Sequence, residues 1–264
     1  MIRLIHEWKC YPLGKNYDTI VSNLDKNETL KEYVRNRNYF RKNDKTKTIT
    51  YKTEILCPLK LKNRIPVLLL FSNPHPKSII TGMFLSPERA VNRFWFSMKD
   101  AEMFALPNID KIRKDDFPET IRDIFFNLEY ESPFVFYFYP FFSFPSRDPE
   151  ELRLIFEEHF TPHMINEACE NLLKFIKCKK INHLICFGKQ AFRFISGTEK
   201  SDLTGYTKRV RVKGFIYSTW QNANLYLTLP TSQGGCKDSE RIESLKRVKD
   251  EIQKRCKQRF LGGF

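Results

Sequence analysis

No stretch of about eighteen apolar residues occurs in the chain, so no helix is expected to cross a membrane. Residues 1–10 lack a continuous apolar core followed by a small-residue cleavage site. No secretory signal is therefore expected, and a cytoplasmic or nucleoid-associated protein follows. The 7 cysteines are an odd number without a CxxC pair, and no Cys/His quartet falls at zinc or cluster spacing. Reduced, mostly buried thiols are expected, and no metal. No GxGxxG dinucleotide loop and no GxSxG nucleophile elbow is present. Gly188-Lys189 has no glycine five residues earlier and no Ser or Thr after the lysine, which excludes a nucleoside-triphosphate loop. His159 and His163 stand at the spacing of a helical metal pair, but Pro162 interrupts them and the HExxH glutamate is missing. They read as surface histidines at a helix break. No internal repeat or low-complexity tract appears.

Negative charge is also scarce. Over 264 residues, Lys+Arg number 45 and Asp+Glu 31, a formal net charge of +14. Residues 1–70 carry +8, residues 101–160 carry −7, and residues 161–264 carry +11. Basic ends of this kind suit a polyanion such as nucleic acid, although a Lys-rich genome composition would produce the same totals. Residues 35–42 interleave Arg and Lys with Tyr39 and Phe40, either as a single-strand or backbone binder does or as a solvated helix end. Residues 41–50 read as an exposed loop or hairpin. With 41% hydrophobic and 29% charged residues, the composition is that of a globular protein with ample core.

Four short apolar runs, at 65–71, 134–139, 183–187 and 225–229, end in turn chemistry and read as buried strands. Helical patterns lie between and around them, near 87–103, 149–160, 162–178, 189–195 and 237–257, and residues 212–217 are a candidate further strand. Continuous apolar strands alternating with helices imply a sheet covered on both faces. The expectation is an α/β fold, a three-layer α/β/α domain over residues 56–264 with a mostly parallel four-stranded sheet. Residues 1–55 would form a basic N-terminal extension. Ligands of such sheets bind beyond the carboxyl ends of the strands. Most segments there are rich in Pro, Gly or small polar residues, as in Ser72-Asn73-Pro74-His75-Pro76 and Pro230-Thr231-Ser232-Gln233-Gly234-Gly235. One composite site is expected.

The most specific pattern is Asn73-Pro74-His75-Pro76-Lys77-Ser78, then Thr81-Gly82-Met83-Phe84, then Asn92-Arg93-Phe94-Trp95. It resembles the first motif of the uracil-DNA glycosylase superfamily, in its mismatch-specific uracil and thymine DNA glycosylase branch. Residues 184–191 are similar to that superfamily's third core strand and its Gly-Lys-x-Ala turn, and residues 229–236 to its second motif. The resemblance covers about residues 65–236 and implies the fold expected above.

It also implies a chemistry. A base in duplex DNA must be extruded into a pocket before its glycosidic bond can be cut. The site then needs a water at C1′ and hydrogen-bond donors for the departing base. By resemblance Asn73 orients that water, because an amide is no strong base. Phe84 stacks on the flipped base, and Phe94 and Trp95 anchor a helix beneath the pocket. Lys77, Ser78, Lys189, Thr231, Ser232, Gln233, Gly234, Gly235 and Lys237 face the DNA, with Arg241 extending the phosphate-binding surface. Three departures concern substrate. His75 replaces the small Gly after Asn-Pro and either filters or hydrogen-bonds a C5 substituent. The second strand ends in Tyr137-Phe138-Tyr139-Pro140 where the uracil-specific branch has a base-reading Asn, which makes Tyr139 a base-binding candidate. Leu229 stands where that branch has a His, and the wedge position falls near Gln233.

The expected activity is therefore that of a monofunctional DNA glycosylase, a monomer acting on DNA without metal or cofactor. Its substrate would be uracil or a modified, C5-substituted pyrimidine, in repair or in defence against modified foreign DNA. The alternatives are a DNA-binding relative that recognises such bases without excising them, and a small-molecule nucleoside enzyme on the same scaffold.

Overall fold

The computed structural model describes residues 6–58, 63–85, 91–106, 109–113, 115–160, 162–230 and 236–261. The first segment contains β1 (His6–Pro12), α1 (Tyr17–Lys26), α2 (Lys31–Arg35), β2 (Phe40–Asn43) and β3 (Thr48–Glu54). Its strands form an antiparallel sheet in the order β1-β3-β2. Alternate residues Ile49, Tyr51 and Thr53 of β3 are buried, as period-two side-chain geometry requires of a sheet with one covered face. Residues 41–50 are the β2–β3 hairpin. In the basic run before it, Phe40 is buried against Tyr33 and Phe144, while Arg41 lies over the Trp8 ring.

The rest of the chain runs β4 (Ile65–Phe71), α3 (Pro76–Thr81), α4 (Val91–Asp100), α5 (Phe117–Asn127), β5 (Phe134–Pro140), α6 (Pro149–Phe156), α7 (His163–Cys178), β6 (His183–Cys186), α8 (Lys189–Ser196), α9 (Tyr206–Lys213), β7 (Ile216–Trp220), β8 (Ala223–Leu227) and α10 (Asp238–Leu261). The second sheet has the order β5-β4-β6-β8-β7 and is parallel except for β7. The four runs read from the sequence are its parallel strands, β5, β6 and β8 buried along their length and β4 from Val67 onward. Pro66 fits inside β4, an interior strand, because pairing with β6 begins only at Val67, so its missing N–H costs no bond on that side.

The expected count of four strands is corrected to five. The candidate strand at 212–217 overlaps the extra strand only at Ile216 and Tyr217, since α9 continues to Lys213 between Gly205 and Gly214, both at positive φ. β7 starts at Ile216 and returns antiparallel through Gln221-Asn222, both at positive φ, a two-residue turn matched to strand twist. α5 and α9 were not anticipated either.

The two sheets share one hydrophobic core. Leu56 makes an antiparallel bridge to Phe138, the Tyr51 hydroxyl lies 2.7 Å from Ser143 Oγ, and Phe144 packs edge-on to Tyr51. Residues 6–54 are thus held against the carboxyl end of β5. No helix among the described residues is long and apolar enough to cross a membrane.

Candidate active site

A cavity of about 280 Å³ opens at the carboxyl ends of the parallel strands. Each of the four contributes the residues that follow it: Ser72, Asn73 and His75 after β4, Ser146–Asp148 after β5, Phe187 after β6 and Pro230 after β8. The close approach of two exits explains one glycine. A Cβ on Gly188 would sit 2.3 Å from Ser72 Oγ, so a side chain in the Gly-Lys turn would require the Ser72 hydroxyl to move away.

The Asn-Pro-His-Pro loop is the start of α3. His75 is its N-cap, Pro76 occupies the first turn, where its missing N–H is harmless, and Gly82 ends it at φ +89°. His75 Nδ1 accepts the Lys77 backbone N–H at 3.2 Å, so the neutral ring carries its proton on Nε2. Burial, with the Lys77 charge and against Glu151, lowers the His75 pKa. The neutral form therefore persists through the physiological range, and the imidazole offers one N–H donor.

Asn73 is oriented as firmly. Its Nδ2 donates to the Ser146 carbonyl at 2.6 Å and approaches Ser146 Oγ at 2.9 Å. A carbonyl can only accept, so the amide orientation is determined. Oδ1 accepts no bond from a described residue and remains an acceptor, the group needed to hold a water without deprotonating it.

The apolar wall is a cluster of phenylalanines. Phe71 stacks on Phe187 at 5.3 Å and lies 5.6 Å from Phe84 and 5.8 Å from Phe94. Phe84 lines the cavity yet is only 2% exposed and also contacts Phe138. It is both pocket wall and core. Phe94 and Trp95 are buried under the cavity, as expected of a helix anchor.

Other expected residues lie elsewhere. Tyr139 is not among the lining residues; its ring packs on Phe175 of α7 at 4.6 Å, because alternation turns it to the sheet face opposite Phe138. Ser78 lines the cavity, whereas the Lys77 side chain is exposed on α3. Lys189 lines a neighbouring cavity of about 330 Å³ with Arg153, Arg193 and Lys200, and Pro149 borders both. Lys237 is exposed, its backbone N–H donating to Glu240 at 2.9 Å. Thr231, Ser232, Gln233, Gly234 and Gly235 lie outside the described residues. Arg241 is corrected: at 1% exposure it cannot bind a surface phosphate, and it donates instead to the Pro230 carbonyl and to Asp238. It holds the exit of β8 at the cavity. His159 and His163 stack at 5.7 Å, and no group of three potential metal ligands occurs among the described residues.

Three lining features were missed. Asp148 caps α6 by accepting the Glu151 N–H at 2.9 Å, and Glu151 accepts the Arg147 N–H in return. Burial pushes the Asp148 carboxyl up, but the Glu151 N–H and Arg147 outweigh it and keep its pKa below the ordinary value. The Asp-Pro-Glu-Glu signature could have located this cap. Ser146 had no such signal. Glu54, from β3, is 1% exposed in the same cavity, and nothing local to its sequence marks it.

No family model matches the chain, and no curated protein is detectably similar to it.

Proposed function

We propose that the protein is a monofunctional DNA glycosylase on a three-layer, uracil-DNA glycosylase-like α/β/α scaffold. It would act as a monomer on uracil or a C5-modified pyrimidine in DNA. The observation that carries the reading is the Asn73 amide, held by the Ser146 carbonyl so that Oδ1 is free as an acceptor at an aromatic-walled cavity. The cavity lies near the lower end of the roughly 300–1,000 Å³ range of ligand sites, a size for one flipped ring. Phe71, Phe84 and Phe94 supply apolar surface for the base, and the His75 Nε2–H a donor for a polar substituent or for charge on the departing base. Arg153, Lys189, Arg193 and Lys200 beside the cavity, with the net charge of +14, suit the DNA backbone.

The test is incubation with duplexes containing uracil, thymine mismatches or C5-modified pyrimidines, followed by alkaline cleavage of abasic sites. Strand scission with at least one base is expected; none with any would end the reading. The non-excising alternative is favoured by one observation, the position of Tyr139 away from the cavity. Selective binding to such duplexes without scission would establish it.

A further inference from the structure

Glu54 is the last residue of β3, outside the region in which the family motifs lie. Its side chain is buried and lines the cavity with Asn73 and His75, yet Oε2 has no hydrogen-bond partner. No ion pair among the described residues includes it. An ionised carboxylate there, without a cation, would carry a desolvation cost of several kcal/mol. Burial accordingly holds the Glu54 carboxyl well above its ordinary range, with the Ser78 hydroxyl only partly opposing the shift. The shift favours the neutral acid, which presents an O–H donor beside a C=O acceptor. Pyrimidines carry the complementary pair on one edge: N3–H beside a carbonyl in uracil, or N3 beside the N4 amine in cytosine. The lining residues that resemblance assigns to the base, Phe84 and His75, supply a ring face and a single donor, and neither reads that edge.

We propose that the Glu54 carboxyl is the base-edge reader of this cavity, pairing with the adjacent donor and acceptor of a flipped pyrimidine, so that the segment before β4 completes the site. The identity of the ligand rests on the glycosylase reading. Such a role accounts for an acid kept in the cavity with one oxygen that no protein group satisfies: the base supplies the missing partner. A pocket that hydrogen-bonds its ligand rejects analogues lacking the matching groups far more strongly than an apolar one does.

The test uses the full chain and three proteins: wild type, Glu54→Met, which keeps length without polarity, and Glu54→Gln, which keeps one donor and one acceptor. Single-turnover excision is measured on duplexes carrying one uracil, 5-hydroxymethyluracil, cytosine or 5-hydroxymethylcytosine, with affinity for unmodified duplex and thermal melting as controls. On the preferred base, Glu54→Met should lower the rate about a hundredfold or more, while Glu54→Gln stays within about tenfold of wild type. Both should bind unmodified duplex normally. The ranking of uracil-type against cytosine-type duplexes identifies the edge being read. Wild-type excision by folded Glu54→Met would overturn the proposal, as would a folded Glu54→Gln as slow as Glu54→Met. If the wild type excises nothing, the glycosylase reading fails, and free uracil and cytosine then probe Glu54 alone. Thermal stabilisation of wild type and Glu54→Gln but not of Glu54→Met supports edge reading; equal or absent stabilisation in all three overturns it.

Discussion

The cavity has two polar walls whose groups are satisfied differently. On the wall from β4 into α3, Asn73 and His75 each commit one polar atom to the backbone, Nδ2 to Ser146 and Nδ1 to Lys77, which leaves one oriented atom apiece. The other polar groups come from β3 and the loop before α6. There Arg147 and Asp148 pair with each other at 3.1 Å, and Glu54 keeps an oxygen with no partner at all. The first wall is preorganised by bonds already made. The second keeps one oxygen that no protein group satisfies, and that difference should appear in stability as well as in recognition.

The largest effect expected from testing this contrast falls on the aromatic wall the two share. Phe84→Ala should destabilise the fold by about 3–5 kcal/mol, the range for truncating a buried phenylalanine, in urea denaturation. Weakened capture of lesion DNA with native stability would show instead that the ring serves the pocket alone. Next comes Asn73→Ala, expected to slow excision about a hundredfold or more, near 2.7 kcal/mol in the barrier, with duplex affinity nearly intact. Parallel loss of binding and excision would make Asn73 structural.

The third effect separates the walls by pH. Because the folded-state pKa of Glu54 is raised, the native protein holds this proton more tightly than the unfolded chain does. The stability associated with it is complete below the ordinary value near 4.5 and is lost as pH rises towards the raised value. The slope reaches at most about 1.4 kcal/mol per pH unit. His75, Arg147 and Asp148 also face the cavity, so the comparison is made against Glu54→Gln, which leaves those groups in place. Wild type should lose stability relative to this variant as pH rises above about 4.5, and parallel curves would mean that the Glu54 pKa is not raised. The smallest effect is that of His75→Ala, which removes the α3 cap at about 0.5–2 kcal/mol. It should also change the ranking of C5 substituents; a uniform change across such a series would leave His75 as a cap only.

The first wall was legible because its signals are local. Asn-Pro-His-Pro reads as turn chemistry after a strand end, although the short helix α3 that starts there was not anticipated. Ser146 was not legible, since its shortest bond to Asn73 is made by a main-chain carbonyl that any residue would supply. Tyr139 was assigned by its place in the chain, and strand alternation turned its ring away from the cavity. Arg241 looked like one more exposed cation on a basic helix, and the chain before it decided otherwise by presenting the Pro230 carbonyl.

By itself the sequence determined the four parallel strands, because a strand buried on both faces must be continuously apolar. It also determined that the candidate chemistry collects at one end, since parallel strands of one sheet share that end. The antiparallel fifth strand, half-exposed and alternating, carried no comparable signal. Only the tertiary structure decided that β3 ends in the cavity. The burial of Glu54 depends on packing between residues distant in sequence, Tyr51 on Ser143 and Leu56 on Phe138, and no local pattern encodes where a charged residue will lose its water.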